Sequence, residues 1–472
     1  MKNVIIIVLL LLEFHLTGFS QNVIIKGKIT NPSSKNISIL IYPFAEKSQS
    51  NELLLDENDE FEVKTTLNDI AYLYCLFDEK KEEELIFILE PNDTISMNFE
   101  AKDFWNTVIF KGNAAPKFEY YKEDFLETVI KSDWKNLSSQ KIGSPTLFFK
   151  RLTEVEQLKF KVLEKYKHKT SPVFHTLSQA DIKSTINRKI IYDAYQRSQK
   201  LKVPLDAKLI PALYRQKVIE INPPQNEITA KSEQYPSSVL YMTALAYPDK
   251  NHDIVEHLED YFQAHKSLFH PAFVEVLSAE HLKEEINFKG FNDEAVSKVK
   301  SFEKEYPNSR FLPLLKEKLT EKEIFAVGKP ALPFTLQDTA GRTVQLADFK
   351  GKVVYLDFWA SWCGPCIAEM KSVKKIKAHF KDQSDLVFLY ISLDEKENDW
   401  RKAIAKYQIS GTHLRDDIKA KECVANKYDS GCIPSSFIIG RDGNFHAIQP
   451  PAPSENDGKG LIKVLEETLS KE

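Results

Sequence analysis

Cysteine is scarce in this chain, with five in 472 residues and those unevenly placed. So few cannot build the disulfide framework of a small secreted scaffold. An excess of one charge is also missing. The 64 Lys and Arg and 68 Asp and Glu leave a net charge of −4, which gives no footing for a nucleic-acid partner. The lysines at 371, 374, 375 and 377 read as the solvated face of a helix. No long hydrophobic run is present either; Val4 to Leu12 is too short to span a bilayer comfortably. No second C-x-x-C or His pair stands at a spacing that would complete a zinc site, so no metal is expected. No haem-attachment motif is present, so no haem or other cofactor is expected.

What is present begins with an export pattern. Lys2 supplies a positive start, Val4 to Leu12 an apolar run, and Gly18-Phe19-Ser20 small residues before Gln21. Residues 1–20 are therefore expected to be a signal peptide, with an uncleaved anchor as the alternative because Glu13 and His15 lie so close to the run. No cysteine stands at the cleavage point, which argues against a lipoprotein. Export would place the chain in the periplasm or cell envelope, an oxidising compartment.

The length suggests two or three domains. Residues 21–115 carry a β pattern: Val23 to Ile29, Ile37 to Tyr42, Phe61 to Lys64, Ile70 to Phe77 and Leu85 to Leu89. Turn signals such as Asn31-Pro32-Ser33-Ser34 and Pro91-Asn92-Asp93 separate them, and a small all-β, sandwich-like domain is expected. Cys75 lies in an apolar strand and reads as a buried small hydrophobe. Residues 116–325 carry helical spacing over Phe118 to Ile130, Phe148 to Tyr166, Ile182 to Leu201 and Ile254 to Phe262, broken at Pro172, Pro223-Pro224 and Pro248. Tyr235-Pro236-Ser237-Ser238 and Tyr306-Pro307-Asn308-Ser309 echo one another 71 residues apart. That echo hints at stacked helical hairpins, against an irregular bundle.

Residues 326–472 alternate strand and helix around one central sheet, an α/β plan. The strand Val353 to Trp359 breaks at Cys363-Gly364-Pro365-Cys366, and Met370, Val373, Ile376 and Phe380 then recur at helical spacing. Two thiols thus stand where a strand hands over to a helix. The free amides and positive end of a helix N-terminus favour an anion, so a thiol pKa of about 8.5 can fall to roughly 7 or lower. Cys363 is expected to be the exposed nucleophile and Cys366 the less accessible resolving thiol. Half a zinc site is the rival reading of the pair. Asp357, inside the apolar strand, is expected to be desolvated with a raised pKa; a strand-edge Asp facing solvent is the alternative.

Trp-Cys-Gly-Pro-Cys after Phe358-Trp359-Ala360 resembles the active site of the thioredoxin superfamily. The run Val327-Gly328-Lys329-Pro330-Ala331-Leu332-Pro333-Phe334, with Val344 to Lys352, is similar to the lead-in of the TlpA/ResA-like envelope thiol-disulfide oxidoreductases, which often carry an N-terminal β-rich domain. The resemblance covers the last third of the chain. It implies a thioredoxin fold and a dithiol that reduces disulfide-containing client proteins, fed by a membrane thiol-disulfide electron donor. The Gly-Pro dipeptide is that of thioredoxin, whose couple near −270 mV lies far below the roughly −120 mV of a strong oxidant, hence a reductase. It also implies site roles. Asp357 matches the buried acid that moves the proton of the resolving cysteine. Glu369 matches the acidic residue of TlpA/ResA-like sites, or is an ordinary first-turn Glu. Ile433-Pro434 matches the cis-proline loop, whose Ile433 backbone pairs with a substrate strand, or is a trans turn. Trp362 is the exposed hydrophobic contact, and Trp359 is packing.

Three departures qualify the resemblance. Lys371 stands where thioredoxins have a helix-kinking proline. No Lys lies between Leu386 and Asp394; Tyr390 takes the place of the lysine that thioredoxins set beside the buried acid. Cys432, two residues before Pro434, is either a third reactive thiol or a free semi-buried one, and it could pair with Cys423. Two other functions compete. A thiol peroxidase would share the lead-in, but peroxiredoxins set their cysteine in Pro-x-x-x-Thr-x-x-Cys, unlike Ala360-Ser361-Trp362-Cys363. A client-binding adaptor would make residues 21–325 the working part.

Overall fold

The computed structural model describes residues 21–77, 85–130, 132, 134–137, 144–201, 225–246, 258–417, 423–429 and 433–471. The expected signal segment, Pro223-Pro224, Pro248, Ile254 to His257 and Cys432 lie outside them. The chain divides into two compact units between Ala279 and Glu280.

In the first unit, apolar alternation builds two four-stranded sheets. One has the order β4-β1-β7-β8 and the other β3-β2-β5-β6. The strands are β1 (Gln21–Thr30), β2 (Asn36–Pro43), β3 (Gln49–Leu54), β4 (Glu60–Leu67), β5 (Ala71–Leu76), β6 (Leu85–Leu89), β7 (Thr94–Glu100) and β8 (Ile109–Lys111). Val23, Ile25 and Ile29 of β1 turn inward with Ile39 and Ile41 of β2, while Lys26 and Lys28 stay exposed. The two inner faces thus share one core. Gly27 sits in register with Phe61 on one side and Met97 on the other. A Cβ there would meet Met97 O at 2.3 Å, so only glycine lets the three strands close.

β5 and β6 read as unbroken apolar runs because both of their faces are covered save at Ile86. Their outer face, Tyr72 and Ile88, packs against helices α1 (Ala115–Asp124), α2 (Pro145–Glu164) and α3 (Pro172–Leu201) through Tyr120, Val162, Phe174 and Leu177. Pro172 opens α3 rather than breaking a helix, since the first turn needs no amide donor. Tyr72 and Ser232 donate to the half-buried Asp181 at 3.0 and 2.6 Å. Burial pushes that carboxyl up to about 6. Helices α4 (Tyr235–Ala246), α5 (Leu258–Ala264) and α6 (Pro271–Lys289) follow, and the division between units falls within α6.

The second unit holds α7 (Asp293–Glu305), α8 (Leu312–Glu323) and a seven-stranded sheet of order β10-β9-β13-β12-β11-β14-β15. Its strands are β9 (Thr335–Asp338), β10 (Thr343–Gln345), β11 (Val353–Trp359), β12 (Leu386–Ser392), β13 (Thr412–Arg415), β14 (Ser435–Ile439) and β15 (Phe445–Ile448). β11 is buried at every residue, parallel to β12 and antiparallel to β14. On one face, Val353, Tyr355 and Ile438 meet Ile376 of α9 (Gly364–His379) and Phe380, which caps that helix. Leu461 and Leu465 of the last helix, Lys459–Leu469, join them. On the other face lie Leu356, Phe358, Phe437 and Phe445, with Phe325 seated among the rings of Tyr428, Phe437 and Phe445. This sheet is what positions the dithiol: β11 delivers the chain to the N-terminus of α9 at the sheet's centre.

Candidate active site

β11 ends at Trp359, and the chain turns through Ala360-Ser361-Trp362, closed by Cys363 N–H donating to Ala360 O at 3.1 Å. Cys363 is the N-cap of α9, and its Sγ accepts the Cys366 amide at 3.1 Å. Pro365 fits the first turn, where no intrahelical donor is required. The two sulfurs are bonded to one another. Helix geometry alone brings residues three apart onto one face, which makes the ring possible.

Cys363 was expected to stand exposed. In the disulfide form it keeps only 5 % of its surface, against 1 % for Cys366. The order of access matches the expectation but the openness does not, because Cys363 Sγ lies under the loop that carries Ile433, 3.8 Å from Ile433 O. The Ile433-Pro434 bond is cis. Trp362, by contrast, is 67 % exposed, while Trp359 is fully packed. Helix α9 runs unbroken from Gly364 to His379 with Lys371 inside it.

Asp357 is buried on β11, in register with Tyr390 of β12 and Ser436 of β14. Burial pushes its carboxyl up to about 8; the Glu369 charge adds to the rise and the Lys377 charge opposes it. Glu369 is held rather than free. Its carboxylate accepts the Ser454 amide at 2.8 Å and the Ser454 hydroxyl at 2.6 Å.

Lys377 does not lie on the expected solvated face. The sequence reading grouped it with Lys371, Lys374 and Lys375 as solvated, and those three are exposed. Lys377 is half-buried, with Nζ 4.8 Å from the Phe388 ring centroid and 4.7 Å from that of Tyr390. It also donates to the Ser410 carbonyl and, at 3.3 Å, to the Ser410 hydroxyl. Burial lowers its pKa to about 8, partly offset by Asp357. The lysine missing from β12 is thus met by one from α9. Spacing could have hinted at it, since Lys377 follows the buried Val373 by four residues and Ile376 by one.

His413, also unforeseen, is buried and stacks on Tyr390 with centroids 5.1 Å apart. Its Nε2 lies 2.8 Å from Ile409 O, which can only accept, so the proton sits on Nε2. Burial lowers its pKa to about 4. Cys423 is a buried free thiol, and burial pushes the Cys75 thiol up. Among the described residues, no three His, Cys, Asp or Glu gather to hold a metal, and no helix is long and apolar enough to cross a membrane.

Residues 327–448 match the AhpC/TSA family. The chain is 30% identical over 146 residues to the thiol-disulfide oxidoreductase ResA of Geobacillus thermodenitrificans, covering 31% of this chain and 82% of that protein. It is 30% identical over 145 residues to ResA of Bacillus subtilis, covering 30% of this chain and 79% of that protein. Among solved structures, a thiol:disulfide interchange protein from Bacteroides sp. is 29% identical, covering 31% of this chain and 92% of that one, with a TM-score of 0.27. A thiol-disulfide oxidoreductase from Bacteroides fragilis is 26% identical, covering 29% of this chain and 98% of that one, with a TM-score of 0.27.

Proposed function

The chain belongs to the ResA-like thiol-disulfide oxidoreductases, and we propose that it reduces protein disulfides in the bacterial cell envelope through the Cys363/Cys366 dithiol. It is an enzyme of disulfide exchange, and its partners are disulfide-containing proteins. Reduction takes two steps. The Cys363 thiolate attacks one sulfur of a client disulfide, forming a Cys363–client bond and releasing the other client sulfur as thiolate. Cys366 then loses its proton to Asp357 and attacks Cys363 Sγ. The Cys363–Cys366 bond forms, the mixed disulfide breaks, and the client leaves with both sulfurs reduced. Two electrons pass from enzyme to client. A thiol donor, proposed to be a membrane dithiol protein, returns them.

The observation that carries this reading is the place of Cys363 Sγ at the start of α9, accepting the Cys366 amide. A sulfur there is stabilised as the anion. Asp357, buried with its carboxyl pushed up to about 8, suits a group that takes a proton near neutral pH. Trp362 and the Ile433 backbone are the proposed client contacts, and Pro434 shapes the loop beside the sulfurs. Residues 1–20 are proposed to export the chain. Residues 21–115 and 116–325 are proposed as separate domains preceding a redox domain of residues 326–472, and a client-gripping role for them would explain their bulk.

Insulin-disulfide reduction by the purified protein tests the reading. Loss of turnover in Cys363→Ser is expected; turnover equal to wild type would sink it. Cys366→Ser should hold its client as a stable mixed disulfide. A second reading, a thiol peroxidase, draws on the AhpC/TSA match. Consumption of hydrogen peroxide faster than insulin reduction would favour it.

A further inference from the structure

The turn that presents the nucleophile is fastened to a carboxylate from the neighbouring strand. Asp394 lies just beyond β12 and is 2 % exposed. Its Oδ2 accepts the Ser361 amide at 2.9 Å, with Oδ1 at 3.2 Å from the same nitrogen. Its Oδ1 accepts the Ser361 hydroxyl at 2.5 Å, and its Oδ2 accepts the Ser392 hydroxyl at 2.7 Å. The Asp394 amide in turn donates to Ser392 Oγ at 3.1 Å. Backbone bonds frame the cluster: Leu393 N–H donates to Trp359 O at 2.8 Å, and Asp416 N–H to Ser392 O at 2.9 Å.

A buried carboxylate is costly unless its lone pairs are met. Here Ser361 supplies two of the donors that meet them, so displacing Ser361 leaves the charge unsatisfied. Charge-assisted bonds of this kind are shorter and stronger than neutral ones. Ser361 is the second residue of the turn closed by Cys363 N–H and Ala360 O. Fixing it fixes the direction in which the chain enters α9.

That restraint matters most when the disulfide is open. In the oxidised form, the bond to Cys366 holds Cys363 Sγ against the helix. Once it breaks, only the backbone keeps the sulfur near the free amides, and their influence falls off within the first turn. We propose that Asp394 is a positioning residue: through Ser361 and the Ala360–Cys363 turn it keeps Cys363 Sγ at the start of α9 in the reduced enzyme. The inference rests on Cys363 being the activated nucleophile.

The test is alkylation of Cys363 by iodoacetamide in the reduced full-length protein, followed by mass spectrometry across pH. Ser361→Ala removes the hydroxyl donor and leaves the Asp394 charge in place. The inflection should move up by about half a unit or more, which is about a threefold loss of thiolate below it. Ser361→Thr, which keeps both donors, should restore the wild-type curve. Two results would overturn the proposal. One is a Ser361→Ala curve that overlays wild type. The other is a downward move in Asp394→Asn, which would mark the carboxylate as acting by its field alone. A wild-type inflection near the ordinary thiol value of about 8.5 would instead overturn the reading of Cys363 itself.

Discussion

Lys377 Nζ stands 4.7 Å from the centre of the Tyr390 ring, and Tyr390 is the in-register β12 neighbour of Asp357. A cation from helix α9 thereby reaches the sheet beside the buried acid. Glu369, on the same helix, pushes the acid the other way. The proton affinity of Asp357 is thus set by burial and trimmed by two opposite charges.

Removing the cation should raise that affinity. With Lys377→Met, the rise of turnover with pH, which tracks ionisation of Asp357 near 8, should move to higher pH by roughly half to one unit. Lys377→Arg should keep the wild-type limb. A pH–rate profile of insulin reduction reads both, and an unmoved limb in Lys377→Met would remove Lys377 from the account.

Glu369→Gln should act with the opposite sign. The neutral side chain no longer raises the Asp357 carboxyl, so the same limb should shift to lower pH. Ser454→Ala should shift it less, because the charge stays while its two bonds from Ser454 fall to one. If Glu369→Gln moves the limb upward, the field argument fails.

Asp357 also links stability to pH. Its carboxyl ionises near 8 in the folded chain and near about 3.9 when unfolded. Between those values the folded state holds the extra proton, so stability declines as pH rises through the window. Asp357→Asn should therefore flatten that decline and stabilise the oxidised protein at pH 8 by about 2–4 kcal/mol, discounted from the full linkage value. Urea midpoints at pH 5 and pH 8 test this. Equal pH dependence in mutant and wild type would refute it.

Gly411 offers a remote test of the same region. Its φ is +126°, and a Cβ would meet Phe388 O at 2.7 Å and Tyr390 Cε2 at 2.9 Å. Gly411→Ala should cost about 1–3 kcal/mol through backbone strain and displaced neighbours. Because Ser410 next to it receives Lys377, the pH limb should also shift in the direction expected for Lys377→Met. A lowered thermal midpoint with an unchanged limb would separate the packing effect from the electrostatic one.

Some of this was legible in advance. Val353 to Trp359 forms a strand at the expected residues, because it is a short apolar run that ends at a breaker. Tyr390 takes the position opposite Asp357 that the missing lysine suggested. Other elements gave weaker signals. Gln49–Leu54 is too polar to read as a strand and owes its state to pairing with β2. Thr412–Arg415 is four residues long and is held by β12 and β9. Thr94–Glu100 does alternate, and pairing with β1 and β8 holds it as a strand.

The order of residues along the chain was enough to place a thiol pair at a strand-to-helix junction and an acid inside the strand before it. Hydrophobic period, breakers and short-range helix geometry all act between near neighbours, so one dimension carries them. Which lysine of four faces the aromatic rings, and that Ser361 meets a carboxylate 33 residues away, depends on strand register and helix rotation. So does the field at Asp357, because burial and Coulomb energy are summed over atoms that only folding brings together.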